Sequence, residues 1–318
     1  MAHPPQRLWR SRFKNALQTL LIMASLALVL SIPGYLLAGP FGVLLCLAMV
    51  LCAVYLSSWM PARWVLANSG AGLLRRHQAP ALYRLLDALY RRAGLETTPL
   101  LYYAPSPELN AFAVGDRRDG GIAVTDGLLR TLSLRELAGV LAHEVSHLRH
   151  GDTRVMSIAA AMTRLTVWVT TVVQVSILLM LPMILSGQLA FPWLALLLVA
   201  MAPTLSTLLQ LALSRNREYT ADLEAIAITG DAHGLASALQ VLEHHQGQWL
   251  ATLFGRQPPA WIDWLRTHPP TQERVQRLMA LAPSRHQEPS IEPLFSTGEP
   301  MLHERPGAMG RRYWILRR

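Results

Sequence analysis

The chain has 318 residues, 52% of them hydrophobic and only 15% charged, with a positive mean hydropathy; this is too apolar for an ordinary soluble protein of its length and implies a membrane protein with a sizeable soluble part. Lysine and arginine exceed aspartate and glutamate by nine, nearly all of the basic charge is arginine, and no acidic residue occurs before Asp87 or from Thr153 to Arg217. The excess therefore sits beside apolar runs, where it fixes membrane orientation, and this distribution argues against nucleic acid as a partner.

In chain order, residues 1–66 hold a basic start (Arg7, Arg10, Arg12, Lys14) and two apolar runs, about Ala16 to Leu37 and Phe41 to Trp59. Each approaches the roughly 20 residues that cross a bilayer, and the first is too long for the apolar part of a signal peptide. Cys46 and Cys52 both lie in the second run, where they behave as small hydrophobes rather than a disulfide or metal pair. The uncharged "SIPGYLLAGPFG" between the runs predicts a tight turn. Arginines flank the outer ends (Arg63, Arg75 and Arg76 follow), so the pair reads as a helical hairpin with both ends cytoplasmic.

Residues 67–162 are expected to begin a soluble α+β part. "APALYRLLDALYRRAGL" has helical periodicity, and "LLYYAPS", "NAFAVG" and "GIAVT" read as the strands of a small sheet. "SLRELAGVLAHEVSHLRHGD" starts with a capping box, Ser133 and Glu136, and stops at Gly151, so it predicts a helix. Residues 163–213 hold a second apolar pair, roughly Arg164 to Leu185 and Leu189 to Leu213, around the uncharged "SGQLAF". Residues 214–283 return to helical patterns, and 284–318 form a Pro-rich tail ending in "RRYWILRR". The expected fold is a mainly α membrane protein with four transmembrane helices in two hairpins and a cytoplasmic α+β domain.

The chemistry centres on "HEVSH". Helix positions four apart share a face, so His143 and His147 can bind one metal ion, and Glu144 beside them can reach a water on that metal as general base. Catalytic zinc takes three protein ligands and leaves one position open. His150 follows His147 by three residues, and the further glycine and histidine of the metzincin motif are absent. In "REYTADLEA", Glu218 and Asp222 are four apart, so one can bind zinc while the other accepts a hydrogen bond from a ligand histidine.

"HEVSHLRHGD", "SRNREYTAD" and "THPPTQERVQRL", in that order and interrupted by an apolar hairpin, resemble the HtpX-type membrane zinc metalloproteases, with the CAAX prenyl endopeptidases as more distant relatives. The resemblance covers about Leu100 to Leu281. It implies a zincin-like (gluzincin) domain with one Zn2+ per chain, held by His143, His147 and Glu218, with Glu144 as general base and Asp222 supporting the site. It also implies a polypeptide substrate, the clearance of misfolded or damaged membrane proteins, and a bacterial inner membrane location. Asn110, Ala111 and Phe112 resemble the family's edge strand, to which an extended peptide can add; the plainer reading is an ordinary strand. His268 in "THPP" is a candidate for stabilising the oxyanion, or a turn residue ordering the next helix. Arg215 is a candidate partner for a site carboxylate, or a membrane-flanking charge. The adjacent His244 and His245 point in different directions on a helix and make a poor ligand pair.

Rival functions fare worse. An intramembrane protease would put Arg135, Glu136, Arg149 and Asp152 inside the bilayer with the metal helix. A prenyl-protein processing enzyme needs a lipid chamber that about four spans do not supply, and a transporter needs polar residues within the spans. A silent zinc-binding scaffold or sensor needs ligands but no base, and Glu144 is present.

Overall fold

The computed structural model describes residues 4–59, 61–96, 100–188, 193–254 and 271–281. It divides into two compact units: one comprises Met1–Trp59 and Val155–Asn216, the other Met60–Arg154 and Arg217–Arg318.

The first unit is made of helices apolar on nearly every side. Helix α1 (Pro4–Trp59) is broken at Ala38 and Gly39, where Gly39 takes φ +58°, a conformation that suits glycine. Here the chain doubles back. A Cβ on Gly42 would lie 1.9 Å from the Gly34 carbonyl oxygen, and Leu30 and Cys46, from the two sides of the break, share one cluster with Val169. The predicted turn in "SIPGYLLAGPFG" is therefore present, within what is otherwise one helical run. Helices α6 (Asp152–Leu185) and α7 (Trp193–Thr229) also carry apolar stretches. Among the described residues, three helices are long and apolar enough to cross a membrane, one within α1 and the others α6 and α7. Many of their leucines face outward, Leu179 and Leu185 being 76% and 78% exposed, a surface that a bilayer hides and water does not.

The second unit holds the sheet. Helix α2 (Ala62–Asn68) and helix α3 (Pro80–Arg92) flank the two-residue strand β1 (Gly72–Leu73). Strands β2 (Leu100–Ala104), β3 (Ala111–Gly115) and β4 (Gly120–Thr125) follow, then a short helix α4 (Asp126–Thr131) and the helix α5 (Leu134–His150). The sheet order is β1-β2-β4-β3, with β2 and β4 parallel and the outer pairs antiparallel, so β3 is an edge strand. The three expected strands are all present. Strand β1 was not legible, because two residues carry no period, and it is held by pairing Gly72 with Tyr103 and Leu73 with Tyr102.

One face of the sheet buries Leu101, Ile122 and Val124 against Leu137, Leu141, Val145 and Leu148 of α5 and the leucines of α3. The other face buries Tyr102 and Ala123 under Leu66 of α2. Helix α5 crosses α8 (Ala232–Phe254) so closely that a Cβ on Gly139 would lie 2.9 Å from the Leu235 Cα. Helix α9 (Thr271–Leu281) packs on α8 and buries Leu278 and Arg274.

The ends of α5 follow the local signals. Ser133 accepts from the Glu136 amide while the Glu136 carboxylate accepts from the Ser133 amide, a complete capping box, and Gly151 ends the helix at φ +66°.

Candidate active site

Helix α5 presents His143 and His147 one turn apart, with ring centroids 4.7 Å apart and planes at 88°. Their Nε2 atoms are 3.2 Å apart. The Glu218 carboxylate, from α7, lies beside both: Oε2 is 3.4 Å from His143 Nε2 and Oε1 is 3.5 Å from His147 Nε2. These three residues can each offer one ligand atom within 4.8 Å of the others and so could hold a metal ion. His143 and Glu218 are buried, and His147 is half-buried.

The outward nitrogens are held just as specifically. His143 Nδ1 is 3.0 Å from Asp222 Oδ1, and His147 Nδ1 is 3.0 Å from Asp152 Oδ2. Each carboxylate has an arginine in turn. Arg274 donates from Nε and Nη2 to the two Asp222 oxygens at 2.7 and 2.6 Å and places Nη1 3.4 Å from Glu218 Oε2. Arg217 donates to Asp152.

This arrangement sets the tautomers. With a carboxylate oxygen 3.0 Å from each Nδ1, the Nδ1–H tautomer is favoured and each Nε2 carries a bare lone pair. The two lone pairs then face one another at 3.2 Å beside the Glu218 carboxylate, an array of acceptors that repel unless a cation sits among them. A divalent metal with an affinity for imidazole and carboxylate fits that donor set. Without the metal, protons take the place. Burial alone would lower the pKa of His143, yet the Glu218 charge and the hydrogen bonds to Asp222 and Glu218 raise it. For His147, burial again lowers, but hydrogen bonds to Asp152 and Glu218 raise the pKa to about 10.

Glu144 follows His143 on α5, half-buried, and its charge acts on both His147 and Arg274. The structure thus brings His143, Glu144, His147, Glu218 and Asp222 together. His150 points elsewhere: its Nδ1 is 2.8 Å from Glu224 Oε2, an oxygen that also accepts from Ser146 Oγ at 3.0 Å. That hydrogen bond to Glu224 is the main reason its pKa is raised.

Asn110 is exposed at the start of β3, its amide donating to Thr125 Oγ1 at 3.0 Å, and Ala111 and Phe112 are half-buried on the edge strand, which packs beside α5. Arg215 is half-buried on α7, three residues before Glu218. His268 and the C-terminal tail lie outside the described residues.

Sequence reasoning missed Asp152, Arg217 and Arg274. Asp152 reads as part of the helix stop after Gly151, Arg217 as a membrane-flanking charge, and Arg274 as one of several charges in "TQERVQRL". The one available signal is that all three sit inside the quoted motifs "HEVSHLRHGD", "SRNREYTAD" and "THPPTQERVQRL".

Comparison with known proteins identifies the family of the chain. The profile of Peptidase family M48 matches residues 76–282. A protein described as Protease HtpX homolog from Acaryochloris marina is 35% identical over 289 residues, covering 87% of this chain and 98% of that one. Another so described, from Pyrococcus furiosus, is 34% identical over 287 residues, covering 83% and 95%. Among solved structures, the chain is similar to the crystal structure of S. mikatae Ste24p at 16% identity with a TM-score of 0.48, covering 86% of this chain and 66% of that one. The chain belongs to peptidase family M48 and is a metalloprotease.

Proposed function

We propose that the protein is a membrane-anchored zinc endopeptidase that cleaves misfolded or damaged membrane proteins at the cytoplasmic face of a bacterial inner membrane. The observation that carries the reading is the pair of imidazole Nε2 atoms 3.2 Å apart beside the Glu218 carboxylate. His143, His147 and Glu218 hold the zinc, which is the usual metal for two imidazoles and a carboxylate with a glutamate base alongside. Bound zinc supplies a Lewis acid that polarises the scissile carbonyl and makes water acidic enough to attack at neutral pH.

The chain's own residues do the rest. Asp222 and Asp152 hold the ligand histidines in the Nδ1–H tautomer and aim their Nε2 atoms inward. Glu144 takes the proton of the attacking water and passes it to the leaving amine nitrogen, the step that makes the amine a viable leaving group. The edge strand from Asn110 through Ala111 and Phe112 offers main-chain hydrogen bonds to an extended peptide. His268 and Arg215 remain candidates for contacting the substrate or its developing negative charge.

The membrane part is assigned four crossings in two hairpins, the break at Gly39 dividing α1 into two. Uncharged turns and arginine-rich ends support a cytoplasmic catalytic part built from residues 67–162 and 214–283, with hairpins at 1–66 and 163–213 and a tail from 284. The test is cleavage of casein and of an unfolded membrane protein by detergent-purified protein, wild type beside Glu144→Gln. Glu144→Gln should keep its zinc and lose about 10²–10⁴-fold in rate. Zinc-loaded wild type that cuts neither substrate would instead support a silent zinc-binding scaffold.

A further inference from the structure

Three consecutive residues at the start of α6 each reach a different part of the frame around the site. Asp152 is 2% exposed and lies between His147 Nδ1, 3.0 Å from its Oδ2, and the Arg217 guanidinium on its Oδ1. Thr153 Oγ1 donates to the carbonyl oxygen of Gly115, the last residue of β3. Arg154 Nη2 is 2.6 Å from Asp116 Oδ2, in the turn that joins β3 to β4. That turn is already rigid, because Asp116 Oδ1 accepts from the Arg118 and Asp119 amides at 2.8 and 3.1 Å, and Arg117 closes it onto the Arg149 carbonyl at the end of α5.

We propose that Asp152, Thr153 and Arg154 form a two-armed brace that positions ligand His147 with one arm and the substrate-accepting edge strand with the other. The proposal rests on the reading above of the metal ligands and of β3. The first arm is Asp152 with Arg217. A ligand histidine whose Nδ1–H lacks a fixed acceptor can rotate, so its Nε2 spends less time aimed at the metal. The second arm is Thr153 with Arg154. It holds the C-terminal end of β3, so the strand's peptide edge stays in register with the helix that carries Glu144 and the ligands. A single short segment thus sets metal affinity and peptide binding by separate contacts, and none of the three side chains need touch the reacting atoms.

The arms are separable by measurement on the full-length protein in detergent. Asp152→Asn and Arg217→Met should each weaken zinc binding by about 10–100-fold in chelator competition. Their double variant should be little worse than either alone, because both break one contact chain. Arg217→Lys, which keeps the charge, should fall between wild type and Arg217→Met. Thr153→Val with Arg154→Gln should leave zinc affinity within about twofold and raise KM for a peptide at least about threefold, with kcat changed less than KM.

Wild-type zinc affinity in folded Asp152→Asn and Arg217→Met overturns the first arm. Should Asp152→Asn not fold, Arg217→Met decides it alone, since that side chain is 17% exposed and lies at the edge of the cluster. An unchanged KM in the Thr153, Arg154 variant overturns the second arm. Glu218→Ala is the separate control: if it keeps zinc, the ligand reading fails and not the brace.

Discussion

Replacing Arg274 with methionine should lower the melting temperature of the metal-free catalytic unit by roughly 6–20 °C. The side chains of Arg274 and Asp222 are 6% and 5% exposed, and they share two hydrogen bonds of 2.7 and 2.6 Å. Removing the arginine leaves the buried Asp222 carboxylate facing His143 alone, and breaking one partner of such a buried pair costs about 3–5 kcal/mol. For a unit of about 200 residues, each kcal/mol moves the melting temperature by roughly 2–4 °C, which gives the stated range. Replacing both residues, Arg274→Met with Asp222→Leu, removes the orphaned charge and should recover most of the lost stability. Zinc affinity should stay low in that double variant, because His143 has lost the acceptor for its Nδ1–H. The assay is thermal melting followed by tryptophan fluorescence in detergent with chelator present, alongside chelator competition for zinc. A melting temperature for Arg274→Met within about 2 °C of wild type, or a double variant that melts as low as the single one, would mean that the Arg274–Asp222 pair does not carry this stability.

The metal-free protein should lose stability as pH rises from about 6.5 to about 10. A proton bound more tightly in the folded state stabilises it fully below the unfolded histidine value and ceases to do so above the raised folded one; the zinc-loaded form has no such proton, so the loaded-minus-free difference in melting temperature should widen across that window. A difference that stays constant contradicts the assignment of shared protons to His143 and His147. Gly139→Ala should destabilise by about 1–3 kcal/mol, since its new Cβ would meet the Leu235 backbone at 2.9 and 3.0 Å and the two helices must part to admit it; urea or thermal unfolding measures it, and a neutral variant would mean that α5 and α8 are not held this closely.

The parts of the site that were legible are those written locally. His143, Glu144 and His147 lie on one helix whose start, Ser133 with Glu136, and stop, Gly151, are both sequence signals. The strands announced themselves by composition, and the position of β3 at the sheet edge then followed from pairing, which composition does not state. Glu218 was legible only as one of two carboxylates a helical turn apart, and family resemblance was needed to choose between them.

Arg274 and Arg217 were not legible because their partners lie 52 and 65 residues away, and nothing in a local pattern says which carboxylate a buried arginine will meet. Asp152 is near His147 in sequence but lies past the helix end, where helical spacing stops predicting which side chains share a face. The membrane helices pose the opposite problem. Their apolar runs and the turn between the first two are both written locally, whereas the near-contact of Gly34 and Gly42 across the break at Ala38 and Gly39 follows from backbone geometry that no residue pattern states.

The most direct test of the account is the zinc content and zinc K-edge absorption spectrum of the detergent-purified chain, wild type beside His143→Ala and Glu218→Ala. The wild-type chain should hold about one zinc in a mixed nitrogen and oxygen environment, with little bound in either variant. Full zinc occupancy in Glu218→Ala with an unchanged spectrum would contradict it, because the third ligand would then lie elsewhere.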